Sequence, residues 1–149
     1  MVRDQVVYRL APDAESRSAD EVILSLSDRV YTDAEGIFNL WLDYSAADVM
    51  IVPSLQEAFG QTASESMACG TPVVAFAHSG LLDIVEHKKT GYLAKPYEIQ
   101  DLSHGINWIL NSTNYNMLSK FGREKIIKEF NSPVVADRYI EMYQKILRN

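Results

Sequence analysis

The sequence predicts an α/β domain, a parallel sheet covered by helices on both faces, and three observations carry that expectation. Short apolar runs alternate with segments of helical periodicity along the chain. Runs such as "DVMIVP" and "PVVAF" are apolar throughout rather than at every second position, which suits strands buried on both faces. The segments between them are long enough to be the helical crossovers that parallel strands require.

The elements follow in order. "QVVYRL" reads as a short strand, "PDAESRSADEVILSLS" as a helix with an acidic first turn, and "DRVY" as a second short strand. "GIFNLWLDYSAA" places Ile37, Leu40, Trp41 and Tyr44 at helical spacing and so predicts one apolar face. "DVMIVP" is a strand closed by Pro53. "QTASESMAC" is a helix ended by Gly70, a residue suited to a left-handed C-cap, with Pro72 just beyond. "PVVAF" is a strand, "LLDIVEH" a short helix, "GYLAK" a strand, and "EIQDLSHGINWIL" and "YNMLSKFGREKIIKEF" are helices, with Gly122 marking a bend or break. Ser132 and Pro133 open the last helix as cap and first residue. Trp41, Trp108, Tyr139 and Tyr143 fall at helical spacings and are read as packing residues, and Cys69 as a small core residue.

Bulk properties exclude several function classes. The 149 residues suit a single domain with its own core, 47% hydrophobic and 23% charged. No repeat, low-complexity tract or interdomain linker interrupts it. A net charge of −6 argues against general affinity for nucleic acid or anionic lipid, which need clustered Lys and Arg. Cys69 is the single cysteine, and His78, His87 and His104 lack ligand spacing, so neither a disulfide nor a metal site is expected. No apolar run is long enough to span a bilayer and the start lacks a signal-peptide layout, so a cytoplasmic setting is the default expectation. No G-x-G-x-x-G follows a strand, which disfavours a dehydrogenase-type dinucleotide site.

Chemistry concentrates in "PSLQEAFGQTASESMACGTPVV", residues 53–74, a loop leading from a strand into a helix. In open parallel sheets ligands bind beyond the carboxyl ends of the strands, where such loops lie. Glu57 and Glu65 form E-x7-E around Gly60. Thr62 and Glu65 match a capping box, which by itself explains Glu65 as a helix-start residue, and a loop glutamate such as Glu57 is ordinarily just solvated. As a site, the stretch reads differently. Gly60 permits close backbone approach, and the amides of Gln61, Thr62 and Ala63 would point out of the helix N-terminus, favouring a phosphate or diphosphate. Carboxylates set to either side would accept hydrogen bonds from neutral diols. Three extended residues reach up to ~10 Å and one helical turn adds ~5 Å, a span that suits ribose, diphosphate and sugar in line.

The stretch "YSAADVMIVPSLQEAFGQTASESMACGTPVVAF" closely resembles the donor-binding half of the retaining GT-B glycosyltransferases of family 4, whose hallmark is E-x7-E within a wider E-x-F-G-x4-E-x-M-A-C-G-x-P-V pattern. "GLLDIVEHKKTGYLAKP" resembles the family's glycine-containing loop, helix and T-G-x-L segment, and "EFNSPVVADRYIEMYQKIL" its closing helix. The resemblance implies a Rossmann-like sheet forming the C-terminal half of a GT-B fold, with residues 1–149 as one nucleotide-sugar-binding domain. It implies that Glu57, as the catalytic residue of the site, contacts hydroxyls of the transferred sugar and that Glu65 holds the ribose. Phe59, Gly60, Gln61 and Thr62 would meet the diphosphate, Ser79 and Gly80 would wall the donor pocket, and Tyr31 and Thr32 would meet the nucleobase.

It further implies a hexosyltransferase-type enzyme of polysaccharide biosynthesis, moving sugar from a UDP- or GDP-linked donor to a glycan or lipid-linked acceptor, without a metal or other cofactor. An N-terminal acceptor domain would complete it, and the intact protein would be cytoplasmic and peripheral to the membrane. The family's first βα unit, with its Arg and Lys for the diphosphate, is expected to be missing. Arg9 and Arg17 are the candidate cations to replace them, though surface solvation explains both. The isolated chain is accordingly expected to turn over little and to self-associate at the sheet edge. Two alternatives stay open: a non-catalytic nucleotide-sugar-binding or interaction module, and a fragment of a GT-B-fold nucleotide-sugar epimerase.

Overall fold

The structure, a computed structural model, describes residues 6–8 and 44–148. The expected helix over residues 12–27, the strand at 28–31, Trp41, Arg9, Arg17, Tyr31 and Thr32 lie outside the described residues. The elements are β1 (Val6–Tyr8), β2 (Val49–Val52), α1 (Gln61–Ala68), β3 (Val73–Phe76), α2 (Leu81–Ile84), β4 (Gly91–Ala94), α3 (Ile99–Leu110), α4 (Tyr115–Glu129) and α5 (Ser132–Leu147).

The sheet has the order β1-β2-β3-β4. β2, β3 and β4 are parallel, with Met50 opposite Val73 and Val73 opposite Gly91. β1 departs from the all-parallel expectation: it runs antiparallel to β2, with Val7 opposite Met50. A parallel sheet ends in a row of free N–H and C=O groups that a strand of either direction can pair, and antiparallel edge strands on such sheets are common.

The apolar runs are explained by burial on both sides. Val49, Ile51, Val74, Phe76, Tyr92 and Ala94 face one layer, where Leu102, Ile106 and Ile109 of α3 and Leu118 of α4 cover them. Met50, Val52, Val73 and Ala75 face the other, against Ala63 and Met67 of α1, Leu81 and Ile84 of α2, Ile126 of α4 and Tyr44. Each large side chain so buried contributes roughly 1.5–3 kcal/mol. The chain therefore reads strand by strand as continuous apolar sequence.

Helix ends follow local chemistry. At the end of α1, Gly70 takes φ +88°, and Thr71 N donates to Ser66 O at 3.0 Å while Gly70 N donates to Met67 O at 3.0 Å. This pair of bonds is the Schellman arrangement that glycine permits. Gly122, expected to mark a bend or break, instead lies inside the continuous helix α4. A Cβ there would make only ordinary contacts, 3.4 Å from Met67 Cε and 3.5 Å from the Thr90 carbonyl oxygen. α5 is capped by Asn131, one residue earlier than expected, which places Ser132 first and Pro133 second in the helix.

Tyr139 and Tyr143, read from spacing as packing residues, are 54% and 57% exposed, and no residue of α5 is buried. Helical spacing creates an apolar face, but among the described elements only α4 packs appreciably against this helix. Cys69 is partly buried at the margin of the core. Among the described residues no helix is long and apolar enough to cross a membrane.

Candidate functional site

Two loops leave the carboxyl ends of adjacent strands, residues 53–60 after β2 and 77–80 after β3. Glycine joins them. Gly80 N donates to Glu57 O at 3.1 Å, and a Cβ on Gly80 would fall 2.6 Å from the Ala58 carbonyl oxygen and 2.6 Å from Phe59 Cα. Gly60 adopts φ +91°, a left-handed conformation in which a side chain is strained, and a Cβ there would meet Leu81 Cδ2 at 3.0 Å. The loop before α1 is thus packed directly on the start of α2.

The N-terminus of α1 is open. Gly60 is its N-cap, no side chain caps it, and the first intrahelical bond runs from Ser64 N to Gly60 O at 2.9 Å. Helix geometry leaves the amides of Gln61, Thr62 and Ala63 without acceptors in a preceding turn. Their partial positive charge, roughly +0.5 elementary charge for a helix end, faces the loop.

The expected capping box is not formed. With Gly60 as the cap, Thr62 is the second residue of the helix and Glu65 belongs to its second turn, out of reach of the roles that motif assigns them. The Thr62 hydroxyl is buried and has no hydrogen-bond partner among the described residues. The Glu65 carboxylate instead accepts hydrogen bonds from Gln61 Nε2 at 3.0 Å and from Tyr44 Oη at 3.3 Å.

Glu57 folds back on the loop, where its Oε1 accepts from Gly60 N at 3.2 Å. Phe59 is 43% exposed and rests edge-on against Phe130 with ring centroids 5.5 Å apart. Ser79 takes φ +49°, and its hydroxyl lies 2.5 Å from His78 Nδ1. Glu57, Phe59, Gly60, Gln61, Thr62, Glu65, Ser79 and Gly80 are therefore brought together at one end of β2 and β3, whereas Tyr31 and Thr32 lie outside the described residues. Among the described residues no group of three or more His, Cys, Asp or Glu side chains is placed to hold a metal ion.

One contributor was concealed in the sequence. Tyr44 reads from spacing as a core residue, and its ring is buried, but its hydroxyl reaches Glu65. The available signal was the chemistry of tyrosine itself, since a buried ring with a hydroxyl needs a polar partner.

The chain is similar to known proteins. The chain is similar to D-inositol 3-phosphate glycosyltransferase of Mycobacterium sp. (strain KMS), 41% identical over 102 residues, covering 68% of this chain and 23% of that protein. It is similar in structure to sucrose-phosphate synthase from Thermosynechococcus elongatus, with TM-score 0.66 and 39% identity over 72% of this chain and 28% of that one. It is also similar to Anabaena HepE in complex with UDP-glucose, with TM-score 0.63 and 28% identity over 68% of this chain and 29% of that one. The chain thus spans about a quarter of the relatives it matches, at 23% of the first. Its α/β architecture is that of GT-B glycosyltransferases. The open helix end and its two flanking acids fall inside residues 36–126, which match the family described as Glycosyl transferases group 1, and the chain belongs to that family.

Proposed function

We propose that this chain is the C-terminal, donor-binding domain of a retaining family 4 glycosyltransferase that transfers a hexosyl unit from a nucleotide-diphosphate sugar to a glycan or lipid-linked acceptor. The observation that carries the reading is the uncapped N-terminus of α1, starting at left-handed Gly60 with Glu57 and Glu65 on either side. The amides of Gln61, Thr62 and Ala63 receive the diphosphate and offset the charge that grows on it as the glycosidic bond breaks. Glu57 exchanges its contact with the Gly60 amide for hydroxyls of the transferred sugar, and Glu65 accepts from the ribose. Phe59, Ser79 and Gly80 wall the pocket, and Tyr31 and Thr32 meet the base. No metal takes part.

The acceptor site and the cations for the diphosphate belong to an N-terminal domain and to a first βα unit of the intact protein. The chain by itself binds donor and turns over little, acts in polysaccharide biosynthesis at the cytoplasmic side, and associates with itself through its sheet edge. The presence of UDP-glucose in the HepE complex supports a nucleotide-sugar ligand, and the name of the mycobacterial relative supports glycosyl transfer. Calorimetric titration with UDP- and GDP-sugars tests the reading. Binding near the millimolar level, about −4 kcal/mol, that weakens in Glu57→Ala and in Glu65→Ala is the expected result. A folded chain with no affinity for either nucleotide would overturn it.

A further inference from the structure

The ring of Tyr44 is 3% exposed and packs in the core layer that holds Met67, Leu81 and Ile126. Its main chain is also held, because Thr71 Oγ1, just past the end of α1, donates to the Tyr44 carbonyl oxygen at 2.5 Å and lies 3.3 Å from that of Ala47. From this fixed base the hydroxyl crosses to α1 and donates to Glu65 Oε2 at 3.3 Å, while Gln61 Nε2 donates to Oε1 at 3.0 Å. The two donors differ in kind. Gln61 is an exposed side chain on the same helix, whereas Tyr44 comes from a separate segment and is held by the core. At 3.3 Å the tyrosine contact is longer than a strong O–H···O bond, so it limits the swing of the carboxylate rather than fixing it. A phenylalanine would fill the same volume and would lack the approach to Glu65.

We propose that Tyr44 is a positioning residue that aims the Glu65 carboxylate at the ribose diol of the donor, an inference that rests on the reading of Glu65 given above. A free glutamate side chain loses rotamer entropy when it grips a ligand, and a donor already seated in the core lowers that cost before the ligand arrives. Tyr44 itself touches no substrate.

The test compares UDP with 2′,3′-dideoxy-UDP, which lacks the diol, by ligand-observed NMR titration of the full chain and of Tyr44→Phe. The wild type is expected to favour UDP about ten-fold, the scale of a hydrogen bond to a charged group. In Tyr44→Phe that preference falls to about two- to three-fold, with the affinity for the dideoxy compound unchanged. A merely structural role would lower both affinities together and leave their ratio alone. In a Glu65→Ala background, adding Tyr44→Phe should change neither. If the wild type discriminates and Tyr44→Phe retains the full ratio, the role of Tyr44 is overturned while that of Glu65 stands. If the wild type binds UDP and its dideoxy analogue equally, the ribose reading of Glu65 fails and the positioning role falls with it.

Discussion

Gly80 and Ala58 meet backbone to backbone across the two loops of the site: a Cβ on Gly80 would stand 2.6 Å from the Ala58 carbonyl oxygen. The neighbouring bond from Gly80 N to Glu57 O, 3.1 Å long, holds the same pair of segments. The contact is with main chain, so no flexible side chain can yield. Gly80→Ala is expected to cost about 1–3 kcal/mol as an overpacking change and to weaken nucleotide binding, because the loop carrying Glu57 must shift. Urea unfolding measures the first effect and titration the second. A variant with wild-type stability would show that the loops do not approach this closely.

Glu57 accepts one hydrogen bond, from Gly60 N at 3.2 Å, at a half-buried position. Glu57→Ala should therefore cost no more than about 1 kcal/mol of stability, yet remove the part of donor affinity that comes from the sugar. In the wild type UDP-glucose is expected to bind more tightly than UDP, and in Glu57→Ala the two should bind alike. Persistence of the difference would separate Glu57 from the sugar.

Thr62 carries a buried hydroxyl without a partner among the described residues. An unsatisfied buried polar group costs about 1–3 kcal/mol, and valine has nearly the same shape. Thr62→Val should raise stability by about 1 kcal/mol, read as a higher melting temperature. A lower melting temperature would mean that the hydroxyl has found a partner in solution.

Two helical glycines should respond with opposite signs. At Gly122 a Cβ has ordinary contacts, the nearest being Met67 Cε at 3.4 Å, and alanine adds helix propensity, so Gly122→Ala should stabilise by about 0.5–1 kcal/mol. At Gly105 a Cβ would fall 2.4 Å from Tyr92 Cδ1. That clash displaces a buried ring whose hydroxyl donates to Asp101 at 2.8 Å, and Gly105→Ala should cost about 1–3 kcal/mol. Denaturant midpoints of the two variants, measured side by side, decide the matter.

Tyr115 ties the start of α4 to the entry of β2 through a 2.8 Å bond from its hydroxyl to Asp48 O. Burial, and then the neighbouring Asp48 charge, push this hydroxyl up to about 12 from 10.0. The folded state thus holds the proton more tightly than the unfolded one. The stability it contributes is complete below about pH 10 and is lost as the pH rises towards 12. Tyr115→Phe should cost about 1 kcal/mol at neutral pH and show a shallower fall in stability over that alkaline window, as followed by circular dichroism.

Much of this protein was legible in its sequence because the determining interactions are local or periodic. Unbroken apolar runs marked β2, β3 and β4 because both of their faces are covered. Gly70 marked the end of α1 because a left-handed cap suits glycine, and the spacing of Glu57, Gly60 and Glu65 put the loop, helix start and two acids in register. Tertiary structure decided what depends on residues distant in sequence. The antiparallel direction of β1 is set by pairing with β2, 43 residues further along from Val6 to Val49. Gly122 lies within an unbroken α4, packed beside Met67 and Thr90. Tyr139 and Tyr143 share the periodicity of core residues but face no described element that buries them. Glu65, which short-range pattern assigned to its own helix start, is held by a hydroxyl 21 residues away on Tyr44. Sequence fixes which groups a segment can offer, whereas the partner each group meets is settled only when separate segments pack.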